Sequence, residues 1–244
     1  MTVFGTAPGN RKARRGGSSG MAGIVSAMAI SCDGILAAGT FSRGVGLYDA
    51  QGMGDVIGSW SLAGDGEEQG SGVTGLHWSR CGRYLVVAER GSDGCEVWDI
   101  RGTGRRLGWM VGRRAETTMQ RLGVGLGGSS LMDGGENVYA GGVDGFVRVW
   151  QGLGMKEGVV EADWRWKAHD DVVSGLGVHD CGRVVATCSG SRGDGIVEED
   201  DDDVEDGSDG GLNADCHGKE DKKGKDNSVR VWSLDAQSSS QDES

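Results

Sequence analysis

Short runs of alternating apolar and polar residues cover most of the chain, separated by Gly, Ser and Asp. VSAMAIS at 25–31, VTGLHWS at 73–79 and VVSGLGV at 172–178 are runs of this kind. A tight turn follows each, at Cys32-Asp33-Gly34, Cys81-Gly82-Arg83 and Cys181-Gly182-Arg183. A more continuously apolar run comes next (ILAAG, YLVVA, VYAGG, VVATCS), then a second Gly/Ser/Asp turn, then a run ending in an aromatic (VGLY, CEVW, VRVW, VRVW). The linkers carry a weaker run with Trp: VIGSWSL, LGWMV and DWRWKA. A period of two with Gly/Asp punctuation predicts strands. No stretch shows a 3.6-residue period with helix caps.

This grammar repeats four times. The units start at Ile24, Val73, Leu122 and Val172, at spacings of 49, 49 and 50 residues. The closing aromatics Tyr48, Trp98 and Trp150 stand 50 and 52 apart, and Trp232 follows 82 later because an insert interrupts the fourth unit. Four short strands in about 40–50 residues describe a β-propeller blade. The expected fold is all-β, with blades at 23–63, 72–112, 120–168 and 171–235.

The motifs resemble the WD40 repeat. VWDI at 97–100 has its Trp98-Asp99 pair, LYDA at 47–50 has Tyr48 instead, and VRVWSL ends in Trp232 with Ser for Asp. In KAHDDVVSGLGVHDCGRVVATCSGS, His169 stands five residues before Ser174. The resemblance implies that such a His hydrogen-bonds inside its own blade, and that Tyr48, Trp98, Trp150 and Trp232 pack blades.

A narrower resemblance lies in GIVSAMAISCDGILAAGTFSRGVGLYDA and GVTGLHWSRCGRYLVVAERGSDGCEVWDIR, followed by GRRAETTMQRLGVGL. These segments resemble successive blades of the telomerase Cajal-body protein family of WD40 proteins. The insert after VVATCSGSRG falls where that family carries one. The resemblance spans about residues 1–235, although blade three is diluted by Gly and the chain has a single Pro. It implies a scaffold that assembles or localises small nuclear ribonucleoproteins in the nucleus. Its partners would be the proteins of such a particle and small nuclear or telomerase RNA. It implies no cofactor, no membrane partner and no small-molecule substrate. A generic WD40 adaptor that binds peptides without touching RNA is the alternative.

Charge changes this picture in one place. The formal net charge is −12, and the segment from Asp194 to Asp226 holds 14 acidic residues and four lysines. That segment carries −10, which leaves the body at −2 and without a global field for nucleic acid. Its composition cannot bury enough surface to fold, so residues 193–227 are expected to be a disordered acidic insert, as is the tail 236–244. An EF-hand reading fails, because Val204 occupies a ligand position. The 48 Gly residues fit many tight turns. The six Cys show no two-residue gap of a metal or redox motif. No apolar run reaches a membrane span and no signal peptide is evident, so a soluble intracellular protein is expected.

Candidate chemistry gathers around the second linker. Arg101, Arg105, Arg106, Arg113, Arg114 and Arg121 flank the strand that carries Trp109. Arginine forks hold phosphates, and an exposed aromatic beside them would serve an RNA surface. A charged edge strand that resists pairing is the plainer reading. Thr117, Thr118, Gln120 and Arg121 are the family-like part of this stretch, with a hydrogen-bonded turn as the alternative. Arg11, Lys12, Arg14 and Arg15 are a candidate nuclear-import or RNA patch in a Gly-rich linker. No catalytic constellation or metal set is present, and GVGLGG at 123–128 lacks a phosphate loop's context.

Thr2-Val3-Phe4 matches the end of a third strand whose first two strands are missing. Four blades do not easily close a ring, so an open, partial propeller lacking its N-terminal blades is expected. Closure of the last blade by residues 2–4 is the alternative.

Overall fold

A computed structural model describes residues 21–62, 70–102, 105–129, 135–190 and 226–234. The N-terminal stretch with its strand remnant and basic patch, nearly all of the acidic insert, and the tail lie outside the described residues.

The first sheet is an antiparallel meander of β1 (Val25–Ile30), β2 (Leu36–Thr40), β3 (Gly44–Tyr48) and β4 (Val56–Ser61). The second contains β5 (Val73–Trp78), β6 (Tyr84–Glu89), β7 (Cys95–Asp99) and β8 (Arg106–Met110). The third contains β9 (Val124–Ser129), β10 (Glu136–Gly141), β11 (Phe146–Trp150) and β13 (Trp164–Lys167). The fourth has β14 (Val173–Val178), β15 (Val184–Ser189) and β16 (Val229–Ser233). The short β12 (Gly158–Val160) leaves the third unit and pairs parallel with β8, as a fifth strand of the second sheet. The described residues therefore form an open array of four β-propeller blades. GVGLGG lies largely within β9, which rules out a phosphate loop there.

The apolar runs read as nearly continuous because a blade buries both faces. On β6, Leu85 and Val87 join a core with Ala37, Val45 and Leu47 of blade 1. The intervening Val86 and Ala88 join a core with Val124, Val138, Ala140 and Trp150 of blade 3. A third core packs Tyr139, Val147 and Val149 against Val173 and Val185 of blade 4. Trp60 and Trp98 meet at 5.1 Å across the first junction, and Trp166 meets Trp232 edge-on at 6.1 Å across the third.

A bulge recurs on the first strand of blades 1, 2 and 4, between Val25 and Ala27, Val73 and Gly75, and Val173 and Gly175. The skipped residue carries a hydroxyl each time. Thr74 and Ser174 donate to the carbonyls of Ala88 and Cys188, each at 3.3 Å, while Ser26 lies 3.3 Å from the Gly39 carbonyl and donates to the Val73 carbonyl of blade 2 at 2.6 Å. The bulge turns that side chain onto the neighbouring strand and tightens the local twist.

Candidate partner surface on the propeller rim

Antiparallel meanders put the turns on two opposite rims. One rim carries the links between successive blades and the turns after each second strand. The other carries the turns after each first and third strand. β8 runs from the second rim to the first, and its five residues span roughly 16 Å. The candidate residues therefore do not form one patch. Arg105 and the start of β8 lie on one rim, while Arg113, Arg114, Thr117, Thr118, Gln120 and Arg121 lie on the other.

Arg105 approaches Glu157 at 3.7 Å and helps line an open cleft of about 410 Å³ with Arg83, Tyr84, Asp99 and Arg101. Asp99 pairs there with both Arg83, at 3.2 Å, and Arg101, at 2.7 Å. Arg106 lies 4.0 Å from Glu96 and over the Trp109 ring at 5.7 Å. Trp109 itself is 4% exposed. The expectation of an exposed aromatic at this position is corrected: a ring packed between strands offers no stacking platform.

Arg113 is likewise inside, at 1% exposure. Its Nη2 donates to the Leu122 carbonyl at 3.0 Å, while Nε and Nη1 have no hydrogen-bond partner among the described residues. Asp93 holds it there. The Asp93 carboxylate accepts from the backbone N–H of Gly112 and Arg114, both at 2.9 Å, and its carbonyl accepts from Arg113 N–H. One Asp thus seats three consecutive linker residues, and Arg113 follows its backbone inward.

Beyond it the linker is a hydrogen-bonded turn. Thr118 N–H donates to the Ala115 carbonyl at 3.3 Å, and Gln120 N–H donates to the Thr118 hydroxyl at 3.0 Å. The Gln120 amide reaches across to the Gly190 carbonyl of blade 4 at 2.7 Å. Thr117 and Arg121 are exposed. The Arg121 charge, after burial itself, helps press His77 down to about 4.

Arg114 keeps a left-handed backbone (φ 57) and an exposed side chain. It lines an open cleft of about 520 Å³ between blades 2 and 3, together with Arg148, Glu161, Asp163, Trp164 and Arg165. Arg148 is committed to Asp144 at 2.6 Å, and Asp163 to Lys156 at 2.6 Å. Trp164 stacks on Trp166 at 5.3 Å and retains an exposed edge. Arg165 lies over the Phe146 ring at 5.1 Å. Two arginine forks beside an aromatic edge suit a planar anionic group. Sequence reading assigned DWRWKA only to a strand. The long separation from Arg114 hid this neighbourhood.

Blade 4 carries a closed polar network. His169 is fully buried, with Nε2 2.8 Å from the Thr187 hydroxyl and Nδ1 3.2 Å from Asp226. Trp232 Nε1 donates to the same hydroxyl at 2.9 Å. Hydrogen bonds from the Ser228 hydroxyl and the Asp170 N–H hold the Asp226 carboxyl down at about 2. Blade 2 has Val87 where blade 4 has Thr187, and there Trp98 Nε1 donates to Glu96 at 2.8 Å. In blade 3, Trp150 Nε1 donates to the Val160 carbonyl of β12 at 3.1 Å. These tryptophans pack into the cores between blades, whereas Tyr48 at the end of β3 is half-buried and joins none of the three cores.

No protein-family model matches the chain. A curated relative, "Guanine nucleotide-binding protein negative regulator 1" of Schizosaccharomyces pombe, is 34% identical over 122 residues. The match covers 50% of this chain and 28% of that protein, so the chain spans little more than a quarter of the relative's length. Among solved structures, the computationally designed Ika4 protein is similar at a TM-score of 0.50 and 19% identity, over 87% of this chain and 92% of its own. The computationally designed Ika8 protein gives 0.50 and 20%, over 88% and 47%. The structure of U3-55K gives 0.51 and 17%, over 67% and 45%. Sheet topology and these likenesses together show a WD40-like β-propeller fold.

Proposed function

We propose that this chain is a non-enzymatic WD40-type scaffold of a nuclear small ribonucleoprotein particle. It grips an anionic segment of a partner in the rim cleft of Arg114, Trp164 and Arg165. The observation that carries the reading is that cleft: two arginine forks without an acidic partner of their own among the described residues, next to an aromatic edge. The resemblance of residues 23–50 and 72–101 to blades of the telomerase Cajal-body protein family supports the class of particle. Phosphate binding at such a site releases counterions and weakens with salt. Filter binding of a small structured RNA, titrated at several salt concentrations, tests it. The double variant Arg114→Gln/Arg165→Gln is expected to flatten the log–log slope by about 1.5. A slope that is absent, or unchanged in the variant, rejects RNA contact.

A second reading is a protein adaptor without RNA contact. Glu161 in the same cleft and the burial of Trp109 and Arg113 favour it. The curated relative's name, which makes it a regulator of another protein, points the same way. Partner capture that survives both nuclease and high salt would separate this reading from the first.

A further inference from the structure

The cleft between blades 2 and 3 holds exposed charges of both signs that do not pair with each other: Arg114, Glu161 and Arg165. Among the described residues, the side chains of Arg114 and Glu161 make no hydrogen bond or ion pair, and Arg165 makes ring contact with Phe146 at 5.1 Å. A guanidinium resting over a ring is held in place while its N–H donors, which lie in its own plane, stay free. The other charged groups lining the cleft are committed, Arg148 to Asp144 and Asp163 to Lys156 and the Gln151 N–H.

The frame that carries these groups is fixed. Asp93 anchors the Arg114 backbone. β12 pairs with β8 immediately before Glu161, and β13 pairs with β11 from Trp164 onward. Trp166 backs Trp164 at 5.3 Å with 27° between the rings, yet Trp164 remains 36% exposed.

A phosphate chain alone does not account for Glu161, which repels it. A ligand that satisfies the whole cleft brings an anionic group for the arginines, a flat ring for Trp164 and N–H donors for a carboxylate. An unpaired nucleotide of an RNA meets all three needs, because its face can stack and its Watson–Crick edge is free. Among the four bases, guanine sets two donors side by side on that edge, N1–H and the N2 amino group, which match the two oxygens of one carboxylate. Adenine and cytosine set an acceptor beside their amino group, and uracil flanks its one N–H with two carbonyls. We infer, building on the RNA contact proposed above, that this cleft selects an unpaired guanine. Glu161 reads its Watson–Crick edge, Trp164 stacks on its face, and Arg114 and Arg165 hold the adjoining phosphates.

Fluorescence anisotropy of the full chain with labelled short oligouridine RNAs, each carrying guanine, adenine, cytosine or hypoxanthine at its centre, tests this. The guanine strand is expected to bind about fivefold or more tighter than the adenine and cytosine strands. Hypoxanthine lacks only the N2 amino group, and its strand should fall between. Glu161→Gln alters an exposed side chain and leaves both arginines in place. Its amide sets an N–H against guanine's own donors, so the preference should vanish. The adenine strand should then bind as tightly as before or more tightly, because a repelling charge is gone. Equal affinity of the parent chain for all the strands, with a salt slope retained, overturns the guanine site and leaves RNA contact standing. Binding to none of them overturns both. A guanine preference that survives Glu161→Gln overturns the assignment of Glu161.

Discussion

Arg43, in the turn after β2, forks across the first blade junction onto Glu89 at the end of β6. Nε donates to Oε1 at 2.8 Å and Nη2 to Oε2 at 2.9 Å, and Nη2 also donates to the Leu62 carbonyl at 2.9 Å. The Glu89 carboxylate is buried, so the pair sets the register between blades 1 and 2.

Removing one partner strands a buried charge, which typically costs about 3–5 kcal/mol. Arg43→Met is therefore expected to destabilise the chain by that order in urea unfolding. The double change Arg43→Met/Glu89→Met is expected to recover most of the loss, because no charge is left buried. A double variant as unstable as the single one would show that packing, and not the ion pair, sets the cost.

Thr187 joins His169 and Trp232 through a single hydroxyl. Thr187→Val nearly conserves shape and leaves two buried polar atoms unmatched. Each unmatched group costs about 1–3 kcal/mol. Thermal unfolding should shift down accordingly, and hydrogen exchange should accelerate in β15 and β16 before other strands. Uniform acceleration across all four blades would contradict a local network.

Burial pushes the Glu96 carboxyl up to about 7, opposed by the hydrogen bond from Trp98 and reinforced by the charge of Glu89. The folded chain therefore holds a proton that the unfolded chain releases between about pH 4.5 and 7. Stability from this group is complete below pH 4.5 and is lost as pH rises through 7, by on the order of 3 kcal/mol. His77 runs the other way. Burial first, then the Arg121 and Arg113 charges, lower it to about 4, so its contribution is complete above pH 6.5 and is lost as pH falls through 4. The two offset each other in the parent chain. Glu96→Gln keeps an acceptor for Trp98 and removes one of them. Its stability relative to the parent should rise between pH 5 and 8, and a constant difference would refute the assignment.

Gly145 has a φ of +78, and a Cβ there would collide with the His169 carbonyl. Both the backbone conformation and the neighbouring chain exclude a side chain. Gly145→Ala is expected to cost about 2 kcal/mol or more, read as a lower urea midpoint with an unchanged slope. An effect below a few tenths would mean that the turn re-forms without strain.

Much of the fold was legible because its signals are local. Alternation placed the strands, and Gly- and Asp-rich punctuation placed their turns. The weak Trp-bearing runs are strands β4, β8 and β13. What escaped was non-local. β12 pairs with β8, which lies about 50 residues earlier, and no pattern in Gly158–Val160 announces that partner. Thr187 and Asp226 meet at His169 from opposite sides of the acidic insert. Arg113 looked like a surface charge, but the hydrogen bonds between the linker backbone and Asp93 carry it inside. Arg114 and Arg165, far apart in sequence, line one rim cleft because blade 3 packs beside blade 2.

The sequence by itself determined the blades: which residues pleat, which turn, and which side of a strand each residue takes. Tertiary structure alone decided which sides are covered. Val97 in CEVW and Val231 in VRVW hold the same place one residue before the closing Trp, yet one is 5% exposed and the other 70%. A strand's alternation specifies the parity of its two faces. Whether a face is buried depends on the blade standing beside it, and that neighbour lies far along the chain.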